Sequence, residues 1–211
     1  MKHIRRWVCL LLICVMAIVV PVPAQATQSE GEVQLQIDEY QEKQSQLQSE
    51  LEELKKKMQQ EGYFDPAHKK PLPQYPERIA VVAGENTAAY QDILRTVYRR
   101  WPLAEIVPFF SLVQGGAAAS ELVNAIGKAD QSGCDIIILA RGGGSLEDLW
   151  PFNEEIVVKA VYNCVTPIIT GVGHESDTTL VDYVSDLRCS TPTAASEHAT
   201  PDQRDVLAKL Q

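Results

Sequence analysis

Two short stretches carry residue types that could do chemistry. The first is Arg141-Gly142-Gly143-Gly144-Ser145, which follows the aliphatic run DIIILA and leads into LEDLW. Consecutive glycines let a ligand approach the main chain closely. At a strand-to-helix turn they can aim N–H groups at an anion, helped by the N-terminus of the next helix. Arg141 adds a planar, permanently charged fork suited to phosphate oxygens. These five residues are a candidate phosphodiester cradle, with a plain tight turn as the bland reading. The spacing fits neither GxxxxGK[ST] nor GxGxxG.

The second stretch is GVGHESD, residues 171–177. Histidine is the side chain best matched to proton transfer near neutral pH, which makes His174 a candidate acid or base. Asp177, three residues on, could orient that imidazole, hold a metal or receive a proton. A loop histidine among solvated acids is the alternative. Asp92, early in a helical stretch, could project toward the same place, although alone it reads as a solvated helix acid.

Other polar residues invite structural readings. Glu147, Asp148, Glu154 and Glu155 suit the first turn of a helix, where acids complement the dipole. Asp182 and Asp186 are four apart, so they share a helix face, read as solvated with a metal pair as the alternative. Trp150 and Phe152 suit core packing better than base stacking. Residues 191–201, TPTAASEHATP, read as a polar loop.

The elements that must position these residues follow from the apolar pattern. Strands are expected at 78–83, 105–110, 135–140 and 167–172, and helices at roughly 87–100, 117–131, 152–163 and 176–187. The strands are near-continuous aliphatic runs, so both sheet faces should be covered. Alternating strands and helices predict an α/β fold with a doubly wound, mostly parallel sheet. Sites in such sheets form beyond the carboxyl ends of the strands. Three loops should share that rim: AGENTAA, RGGGSLED and GVGHESD.

Upstream, Val33, Ile37, Tyr40, Gln44, Leu47, Leu51, Leu54 and Met58 form a heptad stripe. It reads either as a coiled-coil contact or as an amphipathic helix packed on its own domain. Prolines 66, 71, 73 and 76 stiffen a linker. At the N-terminus, Lys2, Arg5 and Arg6 precede WVCLLLICVMAIVV and then PVPAQA, a signal-peptide pattern. The expected organisation is a signal-like segment at 1–26, an amphipathic coiled-coil-like helix at 27–62, a linker at 63–77 and an α/β domain at 78–211.

The net charge of −9 argues against a general basic surface for nucleic acid. Residues 28–65 hold ten acids and four bases, whereas 66–101 hold six bases and three acids, so any anion site is local. The five cysteines, Cys9, Cys14, Cys134, Cys164 and Cys189, form no CxxC pair. They read as buried thiols, which favours a reducing compartment. The N-terminal pattern points instead to export.

Several longer motifs resemble one family. VQG, ARGGGSLEDLWPFNEE, GVGHESDTTLVDYVSDLR and STPTAASEHATPD, in that order, resemble the large subunit of exodeoxyribonuclease VII, as does EGYFDPAHKKPLPQYPERIAVV. The likeness covers residues 46–206. It implies hydrolysis of single-stranded DNA to oligonucleotides, a cytoplasmic location, a small-subunit partner and no stable membrane association. Within the family's motifs, the functional residues correspond to Asp92, Arg141, His174 and Asp177. The family is not uniformly dependent on added metal, so the resemblance assigns no certain cofactor; a divalent ion such as magnesium, held by Asp92 and Asp177, is compatible with it. Family members also carry an N-terminal OB-fold and a long C-terminal coiled coil, and neither is expected from these 211 residues. Where the family tends toward Thr-Ser-x-x-Gly-Ala-Ala, this chain has Gly84-Glu85-Asn86-Thr87-Ala88-Ala89, and Ser176 replaces the usual threonine. The alternatives are an inactive remnant of that subunit, or a secreted α/β binding protein with a coiled-coil spacer.

Overall fold

The computed structural model describes residues 24–210. The signal-like segment, with Cys9 and Cys14, lies outside the described residues except for 24–26. Among the described residues no helix is long and apolar enough to cross a membrane.

The chain divides into two units, Met1–Lys43 and Gln44–Gln211. Helix α1 spans Ala24–Gln60. In the first unit its stripe residues Val33, Ile37 and Tyr40 are exposed. In the second, Leu51 and Leu54 pack against the core and Met58 is fully buried within it. The lower part of the stripe is therefore an amphipathic face seated on its own domain. Lys55 donates to the Tyr183 hydroxyl and Lys57 to Glu155, which fasten the polar flank of the helix.

The sheet contains β1 (Arg78–Ala83), β2 (Glu105–Phe110), β3 (Ile136–Arg141), β4 (Ile168–Val172) and β5 (Leu187–Cys189), in the order β2-β1-β3-β4-β5. Every pairing is parallel. Alternate residues of one strand feed opposite cores, as the two-residue strand period requires. Ile79, Val81, Ile136 and Ile138 pack with helix α2 (Ala88–Arg100), while Ala80, Val82, Ile137 and Leu139 pack with helix α3 (Ala118–Asp130). The doubly wound, parallel expectation holds. Full burial of both faces holds for β1, β3 and β4 but not for β2, an edge strand that is half-exposed to exposed and accommodates Pro108.

Beyond β3 the structure departs in part from the expected helices. The helix expected over 152–163 is present as α5 (Glu155–Tyr162), preceded by a single turn, α4 (Leu146–Leu149), and a 3-10 turn (Trp150–Asn153). Pro151, at the first turn of the 3-10 segment, interrupts the α-helical ladder. In place of a helix over 176–187 there is a loop, short helix α6 (Leu180–Val184) and the unanticipated β5. The supposed loop 191–201 is mostly helix α7 (Pro192–Ala199), and α8 (Gln203–Leu210) follows.

Asp182 and Asp186 are not a solvated face. Asp182 is buried and accepts from the Thr179 N–H and hydroxyl at 2.8 Å each, closing the cap of α6. Asp186 accepts from the N–H groups of Lys70 and Ile168 and lies 3.2 Å from the Lys70 ammonium. Both carboxylates tie chain segments together. Phe152 is fully buried, as core packing requires, whereas Trp150 is half-buried; Cys134, Cys164 and Cys189 are buried free thiols.

A candidate phosphodiester site at the carboxyl edge

With the strand order 2-1-3-4-5, the chain winds outward in one direction from β1 and in the other from β3. The crevice between them is where such sheets hold ligands. Arg141 is the last residue of β3, paired with Val172 at the end of β4. The RGGGS and GVGHESD turns therefore start side by side, and the Gly173 N–H donates to the Arg141 carbonyl at 3.1 Å.

The glycines bring two of the candidate side chains together. A β-carbon at Gly143 would lie 1.7 Å from Cε1 of His174, and one at Gly144 would lie 2.0 Å from a terminal nitrogen of Arg141. The imidazole and guanidinium thus rest on consecutive residues of one loop. Consecutive α-carbons are about 3.8 Å apart, so the two side-chain ends lie within roughly 10 Å of each other. Gly142 is different, because a β-carbon there meets nothing within 4 Å.

Arg141 is only 7% exposed. One terminal nitrogen donates to Gln114 Oε1 at 3.0 Å and lies 3.6 Å from Asp148 Oδ2. The other donates to the Gly142 carbonyl at 3.4 Å. A buried guanidinium held on its flanks is preorganised for an anion. Gln114 was not singled out by reasoning on charge; it lies in the VQG turn after β2, and only its position in that motif marked it.

His174 is exposed, with its Nδ1 3.4 Å from Asp177 Oδ2. That same oxygen accepts the His174 main-chain N–H at 3.0 Å, and Ser176 donates to the other at 2.9 Å. Burial alone would raise the Asp177 carboxyl, but the hydrogen bonds from Ser176 and His174 outweigh it and hold it below its usual value. Gly173 has φ +73° and a β-carbon there would strike Asp177, so this tight turn requires glycine. Arg188, another residue not anticipated, donates to the carbonyls of His174 and Glu175 and braces the loop from β5.

Ser145 is the N-cap of α4. Its hydroxyl accepts from Asp148 N–H, and its own N–H donates to Asp148 Oδ2, both at 3.3 Å. Asp148 is thus more than a dipole acid, since it links the cap to Arg141. With only four residues, α4 supplies little of the dipole expected from the next helix. The N–H groups of Gly143 and Gly144 have no protein acceptor among the described residues.

Asp92 stands apart from this cluster. It lies on α2, half-exposed, and pairs with Arg95 at 3.5 Å. Among the described residues no hydrogen bond or ion pair joins it to Arg141, His174 or Asp177. Nor is there a group of three or more His, Cys, Asp or Glu side chains placed to hold a metal ion among them.

A sequence profile described as "Exonuclease VII, large subunit" matches residues 63–211. The chain belongs to that family. It is 53% identical over 165 residues to an exodeoxyribonuclease 7 large subunit of Staphylococcus saprophyticus, covering 78% of this chain and 37% of that protein. It is 52% identical, with the same coverage, to the Staphylococcus aureus large subunit. This family member therefore spans a little over a third of the length of those relatives. The matched segment includes both turns of the Arg141–His174 cluster.

Proposed function

We propose that this chain is the catalytic core of an exodeoxyribonuclease VII-type large subunit and hydrolyses phosphodiester bonds of single-stranded DNA. The observation that carries this reading is the seating of His174 and Arg141 on the adjacent glycines 143 and 144. A phosphate lying over that loop would meet the Arg141 fork and the Gly143 and Gly144 N–H groups, which offset the charge that grows on its oxygens. Gly142 forms the approach to this cradle. Ser145, engaged as a cap, retains its hydroxyl proton for the phosphate.

Water attacks phosphorus as the bond to the leaving oxygen breaks. His174 transfers a proton through Nε2, the ring nitrogen opposite the one beside Asp177. Asp177 fixes the orientation of the ring. Asp92, half-exposed on α2 and paired with Arg95, is assigned to orienting water or to holding a divalent ion. The name of the relatives, exodeoxyribonuclease 7 large subunit, supports DNA as the substrate and a further subunit as partner; single strands, a small subunit and the cytoplasm belong to the proposal through the family resemblance.

The test is release of acid-soluble oligonucleotides from labelled single-stranded DNA by the full chain, with and without the small subunit. Cleavage that His174→Ala removes is the expected result. If the unmutated chain is inactive under both conditions, the reading fails.

A further inference from the structure

We propose that the cavity beside this cluster is a subsite for one nucleobase of the strand, the base flanking the scissile phosphate, with Asn153 as its positioning residue. The inference rests on the reading that the cluster acts on a DNA phosphodiester. The cavity holds about 280 Å³, and Gly144 and Asp177 form part of its lining. It is therefore continuous with the loop on which Arg141 and His174 rest. Pockets for drug-sized ligands run from roughly 300 to 1,000 Å³, so this one suits a single flat ring system.

The lining has the chemistry of a base site. Leu51 of α1, Leu146 and Leu149 supply apolar walls. Asn153 supplies a polar group from the 3-10 turn. Its side chain is 1% exposed, and Oδ1 accepts the Leu180 N–H at 2.8 Å, which fixes the amide plane. The amide nitrogen Nδ2 is buried and has no hydrogen-bond partner. Buried donors are almost always satisfied, and because Asn153 lines the cavity this donor is the one we assign to a ligand acceptor. A nucleobase brings an in-plane acceptor and two apolar faces, the complement of one amide donor among leucines. Every DNA base offers such an acceptor, so the subsite grips a base without selecting among the four.

Equilibrium binding to the full chain should compare deoxythymidine 5′-monophosphate with 2-deoxyribose 5-phosphate, which lacks the base. The nucleotide should bind at least about tenfold tighter, the worth of one hydrogen bond plus apolar contact. Asn153→Asp keeps an oxygen for Leu180 and removes the donor, and Leu146→Trp fills the cavity without adding charge. Each should erase most of the tenfold advantage and, in cleavage of single strands, raise KM more than it lowers kcat. Leu146→Trp keeps the test decisive if Asn153→Asp does not fold. Equal binding of the two probes, or an advantage that survives both substitutions, overturns the subsite. A base advantage in a chain that cleaves no single-stranded DNA overturns the proposed reaction and leaves the subsite standing.

Discussion

The imidazole of His174 lies against the α-carbon of Gly143, so close that a β-carbon there would be 1.7 Å from Cε1 and 2.3 Å from Nδ1. The clash is with a side chain that is 68% exposed, so the ring can swing away while the loop stays in place. Gly143→Ala should therefore change stability by under about 0.5 kcal/mol, as surface substitutions do. It should lower kcat roughly 100-fold, because displacing a reacting group by about 1 Å costs that much. Thermal unfolding and a single-strand cleavage assay read the two effects separately. Gly142→Ala, which meets no atom within 4 Å, should cost less activity.

Arg141 should not tolerate the change to lysine. Its fork is buried and held between Gln114, Asp148 and the Gly142 carbonyl. Lysine keeps the charge but presents a point donor on a flexible stem. Arg141→Lys should lower kcat/KM by about 10²–10³, the range for losing one preorganised donor to a reacting oxyanion. Gln114→Ala removes one hydrogen bond to the fork, worth about 1 kcal/mol, and should cost roughly fivefold.

Asp177 links activity to acid stability. Because its carboxyl titrates below the usual range in the fold, it contributes stability at pH above the unfolded value, near 4. That contribution disappears as pH falls through the lower folded value. Asp177→Asn should be less stable than the parent at pH 7, and the gap should narrow by pH 3, as measured by denaturant unfolding. Its kcat should also fall, by about 100-fold or more, because the ring loses the group that orients it.

How much of this was legible depends on whether position is set locally or by packing. Strands β1 and β2 are bounded where their aliphatic runs are bounded, because burial on a sheet leaves a run that sequence displays directly. The cluster of Arg141, His174 and Asp177 was also readable, since parallel strands put successive loops on one edge. The role of the glycines was only half readable. Main-chain access to phosphate was inferred, but the space needed by His174 and Arg141 depends on contact between two loops. Asp182 and Asp186 were misread because a spacing of four implies a helix face, and the helix ends at Val184. Helix α7 was hidden by its composition. Its buried face includes Pro192, Ala195, Ser196 and Ala199, which carry little apolar signal. The Ser196 hydroxyl is satisfied within the helix by the Pro192 carbonyl at 2.9 Å. The available clue was Thr191-Pro192, a cap followed by proline at the first helical position.

The packing of that helix supplies a prediction of the opposite kind to Gly143→Ala. Gly171 lies within β4, and a β-carbon there would be 2.8 Å from the Thr191 carbonyl oxygen, 3.0 Å from Pro192 Cα and 3.0 Å from Ala195 Cβ. These are main-chain atoms and a methyl at the start of α7, so no flexible side-chain end can yield. Gly171→Ala must push α7 off the sheet or bend β4, and overpacking of this kind costs about 1–3 kcal/mol. Denaturant midpoints should fall accordingly. Because β4 continues through Val172 into the turn that carries His174, a bend there also moves the imidazole. The variant should lose stability first and activity second, whereas Gly143→Ala should lose activity alone. If Gly171→Ala unfolds at the parental midpoint, α7 does not sit on the strand as described.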